Sequence, residues 1–250
     1  MNSEPKSDLS SRITFSTESN PDCISFCKAT NYEDLYAVSY YEQEGTDQKW
    51  SGGFEIYSLE YDNDKKCITK NSLFAKKNNL SGIFDIKWMQ SDSNDSLKLV
   101  GGSVNKTVQF FDINYESIQA KKNDTLEGHI DLNEKSCMHE VTLAEKALYL
   151  DVCDLSKKIA VACDNGIVSV VDTDKLCETL SYTAHDYSVW CSMFDSSNKN
   201  VIYSGADDAN FCAYDTLSDT KIFKKKVSKE DGGICHIISN ECDLSQNTIF

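Results

Sequence analysis

The chain has 250 residues, of which 40% are hydrophobic and 10% aromatic, and its formal net charge is −15. This composition excludes a disordered chain and is sufficient for the core of one large domain or two smaller ones. The acidic balance excludes a nucleic-acid surface and an anionic membrane as partners, since both bind clustered Lys and Arg. It favours a basic or mixed protein partner.

Cysteine usage and hydropathy indicate the compartment. The eleven cysteines are an odd number and no secretory signal precedes them, so reduced thiols in the cytoplasm are expected. Cys23 and Cys27 have no second Cys or His pair at zinc-finger spacing, which favours buried thiols and predicts neither a metal nor a cofactor. No apolar run approaches the roughly 20 residues that cross a bilayer, so no membrane contact is expected.

The first elements in chain order are a polar tail and a series of strands. Residues 1–20 are polar and Ser-rich and are predicted to be disordered. Four alternating or β-branched runs, separated by turn residues, predict a first antiparallel unit over residues 22–77. A second unit is predicted over residues 81–122, with a Phe-Asp pair where WD repeats have Trp-Asp.

The later elements repeat this pattern with one interruption. An acidic stretch without a clear period, residues 131–142, is predicted to be an insertion loop. Two further units follow over residues 145–183 and 186–229, and a fifth begins over residues 232–250. Three aspartates stand where WD repeats have the Asp of their Trp-Asp pair: Asp112, Asp172 and Asp215. The first two are 60 residues apart, which is longer than one WD blade, and the last two are 43 apart, which matches the length of one blade.

These repeats predict an all-β fold, a WD-repeat β-propeller with about four and a half blades in this chain. Propellers close with about four to eight blades, and about seven are expected when this one is complete. Residues 21–250 are therefore interpreted as one propeller domain that belongs to a longer protein.

The best-marked unit is residues 185–215. His185 opens it, Ser204 lies on its second strand, Asp208 lies in a tight turn, and Tyr214 occupies the position of the Trp that gives WD repeats their name. Residues at these positions usually join the loop, strand and turn of a blade by hydrogen bonds. The four residues are therefore predicted to form a structural turn network.

Several stretches resemble the diphthine methylesterase family, WD-repeat proteins of diphthamide biosynthesis that are also named diphthine methyltransferases. The resemblance covers about residues 22–240, and two positions depart from the family's pattern, with Ala206 in place of Gly and Tyr214 in place of Trp. The similar stretches are SGIFDIKW (81–88), LYLDVC (148–153), AHDYSVWCSMF (184–194), VIYSGADDANFCAYD (201–215) and GGICHI (232–237).

This resemblance implies hydrolysis of the methyl ester of methylated diphthine, a modified His of elongation factor 2, which is then the expected partner. A carboxylic ester hydrolase needs a base with a pKa near neutrality and donors for the developing oxyanion. The sequence has neither a Gly-x-Ser-x-Gly elbow nor an HExxH motif. The alternative is a non-catalytic WD-repeat scaffold for protein–protein interaction, which is the commonest use of this fold.

Two residues are candidate catalytic groups, each with a structural alternative. His185 could act as a general base oriented by Asp208, because imidazole titrates near neutral pH. In ordinary propellers a His at this position instead ties the loop to the turn, with Ser204 as its relay. Asp207 is expected to point towards the face where propellers bind ligands, either as a functional group or as a solvated turn residue. No residue is predicted to bind substrate.

Overall fold

The computed structural model describes residues 17, 19–45, 49–64, 67–90, 96–114, 117, 120, 128–132, 136–227 and 232–239. Within these residues the chain forms seventeen strands. The predicted disordered tail, residues 1–20, lies mostly outside the described residues, as does most of the predicted fifth unit. Strands form where the sequence alternates apolar and polar residues, because one face of each strand is buried.

Two sheets come from the first part of the chain. Blade 1 contains, in spatial order, β1 (Pro21–Phe26), β2 (Leu35–Glu44), β3 (Lys49–Asp62) and β4 (Cys67–Leu80). Blade 2 begins with β5 (Ile83–Met89), β6 (Ser96–Ser103) and β7 (Thr107–Asn114). The short β8 (Ile130–Asp131) then pairs parallel with β4, and β9 (Ser136–Thr142) pairs antiparallel with β7 as the outer strand of blade 2.

Two more sheets follow. Blade 3 contains β10 (Ala147–Cys153), β11 (Lys158–Cys163), β12 (Ile167–Asp172) and β13 (Cys177–Thr183). Blade 4 contains β14 (Val189–Phe194), β15 (Val201–Ala206), β16 (Asn210–Asp215) and β17 (Thr220–Lys226). The prediction of an all-β, propeller-like fold is confirmed, since each of the four described sheets has four antiparallel strands in chain order, and the short parallel β8 is the one addition to them.

The blades stack through their innermost strands. β5 packs on β1 and β2, β10 packs on β5 and β6, and β14 packs on β10 and β11. Apolar clusters fill the spaces between neighbouring blades, and Phe54 and Phe111 meet edge to face in the first of them at 4.8 Å between ring centroids. Each blade therefore buries one face on the next, as a four-stranded unit of a propeller must.

The prediction of an insertion loop over residues 131–142 is wrong for its second half. Residues 136–142 form β9, which pairs with β7 as the fourth strand of blade 2, so this blade extends beyond its predicted end at residue 122. Val141 is buried against blade 3, while His139 and Glu140 are exposed. An outermost strand has much of its surface in solvent, so it has little of the apolar alternation on which the sequence prediction depends.

The described part of the predicted fifth unit, residues 232–239, contains no extended strand. It lies against the C-terminal end of β15, where the Ile234 amide donates to the Ala206 carbonyl at 3.0 Å. The Ile234 side chain packs on the backbone of Gly205, where a Cβ atom would lie 2.4 Å from it, so a residue without a side chain is required.

The four innermost strands, β1, β5, β10 and β14, start at the same end of the molecule, which we call the upper end. The β2–β3 and β15–β16 turns also lie there, because each second strand runs antiparallel to the first. Each innermost strand has a β-bulge close to its start. None of the described residues forms an apolar helix of the length that crosses a membrane.

Candidate functional site

Three of the four residues of the predicted turn network, His185, Ser204 and Asp208, come together at the upper end of blade 4. His185 Nδ1 lies 2.9 Å from Asp208 Oδ1, and its Nε2 lies 2.8 Å from Ser204 Oγ. The Asp208 carboxylate also pairs with the Lys224 ammonium at 3.1 Å and accepts from the Asn210 amide at 3.0 Å. We call His185, Ser204, Asp208 and Lys224 the blade-four turn.

The electrostatics of the blade-four turn favour the neutral form of His185. Burial lowers the pKa of His185, and this outweighs the opposing attraction of Asp208. Burial acts against ionisation of Asp208, but hydrogen bonds from Asn210, His185 and Lys224 hold its pKa well below the usual range. Neutral His185 therefore donates from Nδ1 to the carboxylate and accepts at Nε2 from the Ser204 hydroxyl.

The hydrogen-bonded series Ser204, His185 and Asp208 has the order of a Ser-His-Asp catalytic triad. Unlike in a catalytic triad, however, the His and Ser side chains are not accessible to a substrate. The His185 and Ser204 residues are each only 1% exposed, and both ring nitrogens have partners. A general base must come within about 3 Å of the proton that it removes. This geometry supports the structural alternative for His185.

Two other predicted residues lie apart from this turn. Tyr214 does not join it: its hydroxyl donates to Asp219 at 2.5 Å, and its ring stacks on Tyr182 of blade 3 at 3.7 Å. Tyr214 is near the end of β16, at the opposite end of the strand from Asp208, so its side chain cannot reach His185. Asp207 is exposed at the upper end, with its carboxylate beside Gly233.

A second group of polar side chains lies on the innermost strands of blades 1 to 3. Asp85 is its centre: Oδ1 accepts from Cys23 Sγ at 2.8 Å and from Lys87 Nζ at 2.7 Å, and Oδ2 accepts from the Leu150 amide at 2.7 Å. Lys87 Nζ also lies 4.6 Å above the centroid of the Tyr149 ring. We call Cys23, Asp85, Lys87, Tyr149 and Asp151 the central cluster.

The bulges of the innermost strands explain why these residues meet. Cys23, Asp85 and Tyr149 each directly follow the extra residue of a bulge, in β1, β5 and β10 respectively. A bulge rotates the side chains that follow it. Because the three bulges lie at the same level of adjacent blades, they direct the three side chains to one place.

Burial and charge set the protonation states of the central cluster. Burial, reinforced by Asp85, raises the pKa of Cys23 to about 12, so this thiol is not a nucleophilic thiolate. Burial acts to lower the pKa of Lys87, but the attraction of Asp85 outweighs it and the pKa is raised. Burial raises the pKa of Tyr149, which therefore keeps its hydroxyl proton.

Asp151 is less fully hydrogen-bonded than Asp85. Its Oδ2 accepts from the Phe194 amide of blade 4 at 2.8 Å, and its residue is half-buried. Burial raises the pKa of this carboxyl, against the opposing effects of the Phe194 hydrogen bond and the Lys87 ammonium. A half-buried carboxylate with a raised pKa beside a cation is a typical arrangement for a general base.

A metal is not indicated by the side chains that come together. Among the described residues, no group of three or more His, Cys, Asp or Glu side chains has the geometry to hold a metal ion. The central cluster instead combines one cation, one hydroxyl and one carboxylate of raised pKa. Its exposed neighbour is His236, whose ring meets the Tyr149 ring edge to face at 6.4 Å between centroids.

Sequence reasoning named Asp207 and His185 and missed the central cluster. A signal was nevertheless present, because three of the stretches that resemble the diphthine methylesterase family contain its residues or their neighbour. Residues 81–88 contain Asp85 and Lys87, residues 148–153 contain Tyr149 and Asp151, and residues 232–237 contain His236.

Comparisons with known proteins agree in direction with this resemblance. The chain is 30% identical to diphthine methyltransferase of Schizosaccharomyces pombe over 92 residues, which are 37% of this chain and 28% of that protein. It is 25% identical to the diphthine methyltransferase homolog of Dictyostelium discoideum over 142 residues, 54% of this chain and 34% of that protein. The matches span about a third of each curated relative. No family model matches the chain.

Proposed function

We propose that this protein acts in diphthamide biosynthesis and hydrolyses the methyl ester of methylated diphthine on elongation factor 2. The two similar proteins are both named for a step on diphthine. The observation that carries the proposal is the convergence of three family-like stretches on one group of titratable side chains. Elongation factor 2 is the proposed partner, and the cytoplasm, where it works, is the proposed location.

The central cluster has the groups that this reaction requires. Asp151 accepts a proton from a water molecule as the water oxygen attacks the ester carbonyl carbon. The negative charge that develops on the carbonyl oxygen is stabilised by the Lys87 ammonium and the Tyr149 hydroxyl. The bond to the methoxy oxygen then breaks, and the proton passes from Asp151 to that oxygen, so that methanol leaves. The product carboxylic acid releases the second proton of the attacking water to solvent and becomes a carboxylate.

The other residues of the cluster have positioning roles in this proposal. Asp85 is saturated by three donors and only 3% exposed, so it holds Lys87 in place and does not take part in proton transfer. Asp207 is proposed as a substrate contact, because it is exposed at the same upper end. His185 remains the second catalytic candidate, although its burial favours a role in the turn.

A non-catalytic scaffold is the second candidate function. It is favoured by the saturation of the blade-four turn and of Asp85, because buried groups with complete hydrogen bonding are typical of structural roles. A scaffold of this kind would bind elongation factor 2 or another protein through its upper end without altering it.

One experiment separates the two functions. The protein is mixed with elongation factor 2 carrying methylated diphthine, without S-adenosylmethionine, and the modified peptide is followed by mass spectrometry while methanol is measured in solution. Loss of the ester methyl group with an equal amount of methanol is expected. An unchanged peptide beside folded protein would reject the hydrolase and leave the scaffold, and a reaction that needs S-adenosylmethionine would indicate methyl transfer instead.

A further inference from the structure

A pocket with aromatic and acidic walls lies beside the central cluster at the upper end of blade 1. Its volume is about 530 Å³, and its walls include Asp22, Tyr41, Glu42 and Trp50. The Tyr41 and Trp50 rings are half-buried and steeply inclined to one another, with centroids 5.6 Å apart and 54° between planes. Both rings therefore have partly accessible surface, and two carboxylates lie within the same pocket.

Phe84 of blade 2 packs against both of these rings. Its ring meets Tyr41 edge to face at 4.7 Å and Trp50 at 6.3 Å between centroids. Two glycines allow this close approach of blades 1 and 2. A Cβ atom at Gly52 would lie 2.6 Å from the Gly82 Cα atom, and Gly82 itself has φ of +101°, a conformation that side chains disfavour.

The bulges that form the central cluster also form this pocket. Asp22 is the extra residue of the β1 bulge, and Phe84 is the extra residue of the β5 bulge. The residues that follow them, Cys23 and Asp85, belong to the central cluster. Partial desolvation and the Asp85 carboxylate raise the pKa of Asp22. Burial, with a smaller contribution from Asp22, raises the pKa of Tyr41, so the pocket and the cluster interact electrostatically.

The chemistry of the pocket selects a particular kind of ligand. Aromatic faces attract cations through the ring quadrupole, and they accept a quaternary ammonium well because it has no N–H groups that need hydrogen bonds. The Asp22 and Glu42 carboxylates add opposite charge. The cation–π contact seen among the described residues is that of the Lys87 ammonium with the Tyr149 ring, and it lies outside this pocket.

From these observations we infer that the pocket of Asp22, Tyr41, Glu42 and Trp50 binds a quaternary ammonium group. This inference deepens the proposed function and rests on it for the identity of the ligand, since methylated diphthine carries a trimethylammonium on the carbon that bears its methyl ester. The group to be recognised and the ester that reacts are bonded to the same carbon, and Asp22 of the pocket directly precedes Cys23 of the central cluster in β1. Trp50 and Tyr41 then determine specificity, and the central cluster performs the hydrolysis.

Binding of a small probe tests the pocket independently of any reaction. The protein is titrated with choline and, separately, with 3,3-dimethylbutan-1-ol, which has the same shape without the charge, and binding is followed by calorimetry and by the fluorescence of the tryptophans. Choline is expected to bind about ten-fold more tightly than the neutral alcohol, because the cation–π and carboxylate interactions need the charge. Equal binding of the two, or binding of neither, would overturn the inference.

Variants of Trp50 assign the binding to the pocket. Trp50→Ala is expected to weaken choline binding about ten-fold, and Trp50→Phe, which keeps an aromatic face, to restore most of it. Tyr187→Ala is the matched control, because it removes an aromatic residue that is 62% exposed on another blade. Choline binding that is equally weakened in Tyr187→Ala, or unaffected by Trp50→Ala in folded protein, would contradict the assignment.

Kinetics with modified elongation factor 2 separate this inference from the proposed function. If both hold, Trp50→Ala raises KM about ten-fold and leaves kcat nearly unchanged, since the pocket binds the substrate without touching the reacting atoms. Selective choline binding through Trp50 without ester hydrolysis would support the quaternary ammonium site and reject the hydrolase. Hydrolysis with an unchanged KM in Trp50→Ala would support the hydrolase and reject the site.

Discussion

The blade-four turn and the central cluster each contain a carboxylate paired with a lysine, but their hydrogen bonding is completed to different degrees. In the turn, His185 and Ser204 are almost wholly buried. Both ring nitrogens of His185 and the hydroxyl of Ser204 have hydrogen-bond partners. In the cluster, Asp85 is saturated in this way, but Asp151 is half-buried and its pKa is raised by burial. The lysines do not differ, since the Lys87 and Lys224 side chains are 25% and 26% exposed.

This difference shows how to separate a structural network from a reactive one in the same fold. Complete hydrogen bonding without solvent access stabilises the blade and leaves no group for a substrate. In the central cluster, the fully hydrogen-bonded Asp85 is an anchor that holds the Lys87 ammonium rigidly in place. The neighbouring Asp151 carboxylate has a raised pKa and can still accept a proton. Substitutions in the turn should therefore alter stability, and substitutions in the cluster should divide into those that alter stability and those that alter rate.

Replacement of the anchor should have the largest effect on stability. Asp85→Ala leaves the Lys87 ammonium and the Leu150 amide without their acceptor, and the expected loss in free energy of unfolding is about 3 kcal/mol. Urea denaturation measures it. Glu60→Ala is the control, because the Glu60–Lys70 pair is about 60% exposed and its loss should cost less than about 0.5 kcal/mol. Equal losses in the two variants would show that Asp85 is not an anchor.

Replacement of His185 should have a smaller effect that depends on pH. His185→Gln removes one buried, hydrogen-bonded ring, and a loss of about 2 kcal/mol at pH 7 is expected. The native pKa of His185 is lowered by burial, so its contribution is present above the unfolded pKa of about 6.5 and is lost as the pH falls from there towards the folded pKa. Wild-type protein should therefore lose more stability between pH 7 and pH 5 than His185→Gln, as urea midpoints at each pH would measure. Parallel pH profiles would mean that His185 is not kept neutral by the fold.

Replacement of Asp207 should have the smallest effect. Asp207→Ala removes an exposed carboxylate, so the free energy of unfolding should change by less than about 0.5 kcal/mol. If Asp207 contacts the substrate, KM for modified elongation factor 2 rises a few-fold and kcat is unchanged. A loss of kcat in folded Asp207→Ala would instead assign the chemistry to this residue and shift it away from the central cluster.

The sequence predicts the fold and the blade-four turn because both depend on local spacing. Strand alternation is visible within six or seven residues, and His185, Ser204 and Asp208 lie within a single repeat. The outer strand β9 was missed because an edge strand needs few apolar residues. Lys224 was missed as a partner of Asp208 because it stands in a run of three lysines on an exposed strand.

The central cluster could not be predicted in the same way. Its residues come from three blades, and Cys23 and Asp85 are brought together across more than sixty positions of the chain. Their side chains meet only because each innermost strand has a bulge at the same level, and a bulge has no clear signal in a single sequence. The resemblance to a family marked the right stretches without indicating that they meet.

The central claim is that the central cluster performs ester hydrolysis and the blade-four turn supports the fold. The most direct measurement is the initial rate of methanol release from modified elongation factor 2, per folded molecule, for wild-type protein, Asp151→Asn and His185→Gln. Asp151→Asn keeps an acceptor for the Phe194 amide, so it should fold but lose at least about 100-fold in rate, while His185→Gln should stay within about three-fold of wild type. An unchanged rate in Asp151→Asn beside a lost rate in folded His185→Gln would contradict the claim.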